Sequence, residues 1–255
     1  MTSKQIMLIL WSVLTVVQLG CAMPEPVSRP ISPYAGRRVF AVAPLRNESG
    51  SAHVDVLRTA DQVTAQLSRA RGLDTVPVNR VLDAMRSLDL AEVATVNDAH
   101  ALRERLGVDG LVVGSVTAYD PYDPPTLGLA LELYLSDRDG GASSGSDANP
   151  NPGELTRASR LPGNDLPAVW DRGPVTAIAG HYDASDPDVA SLLEAYAVER
   201  GPDGTSEMTR RRYRISIDLY TEFVSYQLTS RLIDAERLRL RSPYNRRSDA
   251  ASSSP

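Results

Sequence analysis

Leu127, Leu129, Leu131, Leu133 and Leu135 alternate with Thr126, Gly128, Ala130, Glu132 and Tyr134. That two-residue period predicts a strand with one buried face. Just upstream, DGLVVGSVTAY (Asp109 to Tyr119) is apolar almost throughout, as a strand covered on both sides is. The breaker cluster DPYDPP (Asp120 to Pro125) predicts a hairpin connection between the two. An earlier strand, RVFAVAPL (Arg38 to Leu45), is closed by Pro44 and by a polar turn from Arg46 to Ser51. The period then lengthens. Val56, Leu57, Ala60, Val63, Thr64 and Leu67 fall on one face of a helix that Gly72 stops.

A short strand is expected at Leu73 to Val76. Asn79 then caps a helix burying Val81, Leu82, Met85 and Leu88, and Asn97 caps another through Leu102 and Leu106. Further on, Val175 to Tyr182 reads as a strand. Ser185 and Asp188 form a capping box that opens a helix with the face Val189, Leu192, Leu193, Tyr196 and Ala197. Thr209 to Leu240 reads as one helix of about 48 Å. Tyr213, Ile217, Tyr220, Val224 and Leu228 make one stripe on it, and Ile215, Leu219 and Phe223 make a second beside the first.

These elements predict an α/β (α+β) sandwich, a small mixed sheet flanked by helices, with a long C-terminal helix packed along it. The domain spans 38–135. Residues 136–172, rich in Gly, Ser, Asn and Asp, form a low-complexity insertion expected to be mobile. Residues 173–243 return a strand and the C-terminal helices to the domain, and 244–255 are a disordered tail.

The N-terminus changes where such a domain would work. Residues 1–20 carry one Lys, Lys4, and an apolar run from Ile6 to Val17. The run is shorter than the ~20 residues of a membrane span and fits a signal peptide. Gly20 precedes Cys21, the only cysteine, and the arrangement resembles a bacterial lipobox, with Gln18 where the pattern carries Leu. The resemblance implies cleavage before Cys21 and diacylglycerol on its thiol. Ala22 in place of Asp implies sorting to the outer membrane. The alternative is an uncleaved signal anchor. Three acyl chains exceed the two signals that stable anchoring takes. Pro24, Pro26, Pro30 and Pro33 make 21–37 a tether, extended at ~3.1 Å per residue to roughly 50 Å.

Charge is uneven. The net value is −5, yet Thr209 to Arg247 holds ten Arg against four acidic residues. An acidic body thus carries a basic C-terminal segment, suited to internal pairing, to anionic lipid or to a protein partner. The acidic total argues against general nucleic-acid binding. One Cys excludes an internal disulfide and a Cys-based zinc site.

No catalytic motif is present. His53, His100 and His181 are scattered. Asp183 and Asp186 form an acidic pair beside His181, and a helix cap accounts for Asp186 better than acid–base chemistry does. Asp137 and Asp139 hint at a calcium loop, but Ala142 and Ala148 stand where Gly and Glu are required. The reading is a non-enzyme without metal, cofactor or small-molecule substrate.

Over residues 38–135 the succession VFAVAPLRNESGS, helix, LDTVPV, helix, ALRERLGVDGLVVGSVTAYD resembles a group of bacterial envelope domains. These are the curli-secretion (CsgG-type) lipoproteins, the penicillin-binding-protein activators (LpoB-type), and the N-terminal domain of TolB. Pro44, Asn47, Ser49, Gly50, Gly107, Asp109, Gly114 and Val116 carry the resemblance. It implies a periplasmic domain that binds proteins without catalysis: an adaptor or regulator of cell-wall synthesis or secretion. The alternative is an oligomeric subunit of a CsgG-like outer-membrane assembly. The expected partners are a membrane, through the lipid, and either an envelope protein or further copies of the chain. Contact would run through a sheet edge, the Tyr119–Pro125 hairpin or the basic helix.

Overall fold

The computed structural model describes residues 29–136, 173–200 and 207–241. Among them, six strands form one mixed sheet: β1 (Arg38–Val42), β2 (Arg46–Asn47), β3 (Leu73–Thr75), β4 (Gly110–Asp120), β5 (Thr126–Leu135) and β6 (Thr176–Asp183). The order is β3-β1-β4-β5-β6, with β2 paired to β4 beyond the end of β1. β1 runs parallel to β3 and β4, while β4, β5 and β6 form an antiparallel meander. Six helices surround it: α1 (Val56–Arg69), α2 (Val78–Ser87), α3 (Val96–Leu106), α4 (Pro187–Arg200), α5 (Glu207–Ile215) and α6 (Ile217–Arg241). The expected α+β sandwich is the fold observed.

Each face of the sheet has its own core. Phe40, Val42, Val112, Val116 and the five alternating leucines of β5 pack with α1, α4 and α6. Ala41, Ala43, Leu111, Val113 and Tyr134 pack with α2 and α3. Tyr134 is therefore buried, although alternation alone assigns it to the polar face of β5.

The residues that carry the family resemblance hold the backbone. Gly107 closes α3 at φ +66, a left-handed position that favours glycine. Asp109 Oδ2 accepts from the Val39 amide at 2.8 Å, fixing the start of β1 against β4. Asn47 Oδ1 accepts from the Ser49 hydroxyl at 2.7 Å, and Asn47 Nδ2 donates to the Ser51 carbonyl at 2.7 Å. A Cβ on Gly114 would lie 2.4 Å from the Ala130 carbonyl, so β5 passes too close for any side chain there.

Several local expectations need correction. Arg46 and Asn47 are a strand rather than part of a turn, because the Ala43 and Glu48 amides both donate to β4 carbonyls and keep the chain extended past Pro44. The caps of α2 and α3 are Pro77 and Thr95 rather than Asn79 and Asn97. Thr95 forms a reciprocal box with Asp98. The Asp186 side chain, not Ser185, accepts from the Asp188 amide at the start of α4. Leu57, Leu192 and Ile215, all expected in the core, are exposed. The long C-terminal helix is two helices, α5 and α6, meeting at Ser216. Its longer part, α6, spans about 37 Å.

The chain just before β1 is tied down. Ser32 N donates to the Arg71 carbonyl at 2.8 Å and Arg71 N to the Pro30 carbonyl at 2.9 Å. Arg237 Nη2 donates to the Ile31 carbonyl at 2.9 Å. From Pro30 onward the segment assigned to the tether thus lies against the domain.

Candidate protein-interaction surface

Two of the three expected contact features meet at one end of the molecule. The β4–β5 hairpin is held at its base by Tyr119, which lies with Asp55, Arg58 and Asp218 where α1 and α6 begin. Burial, then the charges of Asp218 and Asp55, push its phenol above the ordinary value. At the turn, the Tyr122 amide donates to Asp120 Oδ1 at 3.0 Å and the Asp123–Pro124 peptide is cis. The Ala184 amide donates to the Pro125 carbonyl at 3.0 Å, joining the turn to the end of β6.

A groove of about 300 Å³ runs from Asp123 to α4 and α5, with Leu193 and Glu194 on one wall and Arg214 and Ile215 on the other. Arg210 Nη1 pairs with Glu194 at 2.6 Å, clamping α5 to α4. The exposed side chains of the groove are mixed in charge: Asp123, Glu194 and Glu207 line it together with Arg211, Arg214 and Ile215. Next in the chain to Asp123 and Glu207, Tyr122 is 76% exposed and Met208 68%, and Ile215 in the groove wall is 53% exposed. Arg211, Arg212 and Arg214 are exposed and make no ion pair among the described residues. Tyr, Met and Arg are the side chains enriched in the centres of protein interfaces. On α5 itself four arginines stand against the single Glu207, and that local excess of positive charge suits an acidic surface opposite.

The third feature lies on the open side of the sheet. β6 pairs only with β5, so its other backbone edge is unpaired among the described residues. Ala177, Ala179 and His181 stand exposed on the face not covered by helices. Such an edge accepts a further strand.

The remaining candidates do not assemble. Cys21 and the Asp137/Asp139 pair lie outside the described residues. His53 lies in the turn before α1, where its amide donates to Ser51 Oγ at 3.4 Å. His100 packs edge-on against Tyr134 at 5.8 Å, on the opposite face of the sheet from Tyr182 and its neighbours. His181 and Asp183 share a face of β6. However, the hydroxyl and amide of Ser185 hold the Asp183 carboxyl below its ordinary range, which ill suits a proton donor. Among the described residues no group of three or more His, Cys, Asp or Glu is placed to hold a metal. No described helix is long and apolar enough to cross a membrane.

One buried site has no counterpart in the sequence reading. Glu236 on α6 is 1% exposed. Its carboxylate accepts from Tyr34 Oη at 2.9 Å, Thr176 Oγ1 at 2.7 Å and Arg239 Nε at 2.8 Å. Burial raises its pKa, but the bonds from Arg239 and Thr176, with Tyr34, outweigh it and hold the group below the ordinary value. A Glu flanked by arginines on a helix reads as a solvated pair, and only the fold brings Tyr34 and Thr176 to it.

No protein-family model and no curated protein matches the chain. Solved structures do resemble it. The C-terminal domain of LpoB from Salmonella enterica is 12% identical, covered over 85% of its length by 59% of this chain, with a TM-score of 0.38. The Escherichia coli domain is 11% identical over the same shares, with a TM-score of 0.37. A lipoprotein from Neisseria meningitidis is 15% identical, covered over 94% of its length by 62% of this chain, with a TM-score of 0.34. Of the resemblances expected from the sequence, the LpoB-type one is met among solved structures, while the curli-secretion and TolB types stay expectations.

Proposed function

We propose that the chain is a lipid-anchored periplasmic adaptor or regulator of an envelope process, cell-wall synthesis or secretion, acting by protein binding and not by catalysis. The observation that carries this reading is the surface formed by the β4–β5 turn and α5, where Tyr122, Met208 and Ile215 are exposed and Arg211, Arg212 and Arg214 make no ion pair among the described residues. Its partner is an envelope protein with an acidic face. Cys21 carries the lipid, and the outer membrane is its place.

With Pro30 docked, the nine residues from Cys21 to Pro30 can span at most ~30 Å by covalent geometry. The interaction surface therefore works closer to the bilayer than a tether running to residue 37 would allow. The test is reversal of charge at Arg211 and Arg214 to Glu in cells. The variant stays folded and membrane-attached but fails to restore a strain lacking the gene; full restoration refutes the surface. The alternative, a secretion-type ring, predicts a large, stable oligomer on size-exclusion chromatography of the detergent-solubilised lipoprotein. The adaptor reading predicts none.

A further inference from the structure

A second groove, also of about 300 Å³, opens between α1, the end of α4 and α6. Arg29, Arg69 and Arg200 line it, and among the described residues no acidic side chain does. Glu222 Oε1 accepts from Arg69 Nη1 at 3.2 Å, from Arg200 Nη1 at 3.4 Å and from the Tyr196 hydroxyl at 3.1 Å. Two guanidinium groups thus share one carboxylate, and Arg29, which also lines the groove, has no ion pair among the described residues. Arg200 is held in place by two rings, its Cζ 4.2 Å from the Tyr196 centroid and 5.1 Å from that of Tyr226.

Beside these charges lie donors without an acceptor among the described residues. Gln66 is 2% exposed and Thr229 1%. The Gln66 amide nitrogen, the Thr229 and Ser230 hydroxyls and Arg200 Nε have no hydrogen-bond partner among the described residues. The contrast within α6 is informative: Thr221 returns its hydroxyl to the Ile217 carbonyl at 2.7 Å, whereas Thr229, two turns on, does not bond back. Buried polar groups are ordinarily paired. Unmet donors beside surplus positive charge match an anion rich in acceptor oxygens. A carboxylate brings two oxygens; a phosphoryl group brings three strong acceptors and up to two charges.

We propose that this groove binds a phosphoryl group. Arg29 and Arg69 meet its charge, and Gln66, Thr229, Ser230 and Arg200 Nε donate to its oxygens. Those atoms are shielded from solvent, so a side-chain rotation accompanies binding. The groove adjoins Arg29 and Pro30, where the chain enters the domain, and the phosphoryl group is carried either by a phospholipid headgroup or by a soluble phosphate. The site itself does not depend on the adaptor reading.

Isothermal titration of the mature lipoprotein in neutral detergent tests it, with inorganic phosphate on one arm and short-chain phosphatidylglycerol on the other. One saturable site on either arm is expected. Binding of phosphate identifies a soluble source as sufficient; binding of phosphatidylglycerol alone identifies the headgroup. Arg29→Ala and Thr229→Val each weaken binding about tenfold. Thr229→Val keeps the shape of the side chain and removes an unpaired buried hydroxyl, so it leaves thermal stability unchanged or raised. Absence of saturable binding on both arms, or affinity unaltered in both variants, overturns the proposal.

Discussion

Glu236 joins three distant parts of the chain through one carboxylate: Tyr34 before the first strand, Thr176 at the start of β6, and Arg239 a turn along its own helix. Removing one member of such a buried, satisfied set leaves the others unpaired. Glu236→Ala should therefore cost about 3–5 kcal/mol, read from the denaturant midpoint. The pH dependence has a definite sign. The folded value lies below the unfolded 4.5, so the contribution is fully present above about that pH and is lost as pH falls through the folded value. The stability gap between wild type and Glu236→Gln should narrow as pH is lowered below 4.5. A constant gap would contradict this account.

Apart from Arg239 this was not legible locally, because the other two partners of Glu236 lie 60 and 202 positions away. By contrast Gly107, Asp109, Asn47 and Gly114 could be picked out from sequence resemblance, and each proves to fix the backbone. That explains why the motif points to a fold and says so little about a ligand.

At the scale of elements, period and burial agree wherever a face is covered. The leucines of β5 are the plainest case: one sheet face, five positions, all buried. The pairing of β4 with β5 depends on the close approach at Gly114, so Gly114→Ala should cost about 1–3 kcal/mol in thermal or chemical unfolding. An unchanged midpoint would mean the strands separate there without penalty.

The division of the C-terminal helix was not legible. Ser216 N donates to the Arg212 carbonyl at 3.0 Å and Tyr220 N to the Ser216 carbonyl at 2.9 Å, so helical hydrogen bonds run up to and beyond the break and the apolar period continues across it. Only the packing differs. α6 lies along the core, whereas α5 buries Tyr213 alone and leaves Ile215 outside. The hydroxyls of Thr221, Ser225 and Thr229, four residues apart, could have been read as a polar line on the buried face of α6.

At the scale of the molecule, the sandwich has one helix-covered face and one only partly covered. The hairpin and α5 lie at one end, and the docked segment enters beside α6. The account places a lipid on Cys21, so Cys21→Ser should release the protein from membranes and remove the acyl mass from its N-terminus. Retention of the variant on membranes, with no acyl mass on the wild type, would contradict the anchor.

The central claim, that the Tyr122 surface receives another protein, is tested most directly by site-specific photo-crosslinking in cells. A photo-reactive amino acid replaces Tyr122 in one strain and exposed Glu92, before α3, in another. The account predicts one heterologous adduct from position 122, lost when Arg211 and Arg214 are changed to Glu, and none from position 92. Adducts only between copies of this chain, or equal capture from both positions, would contradict it.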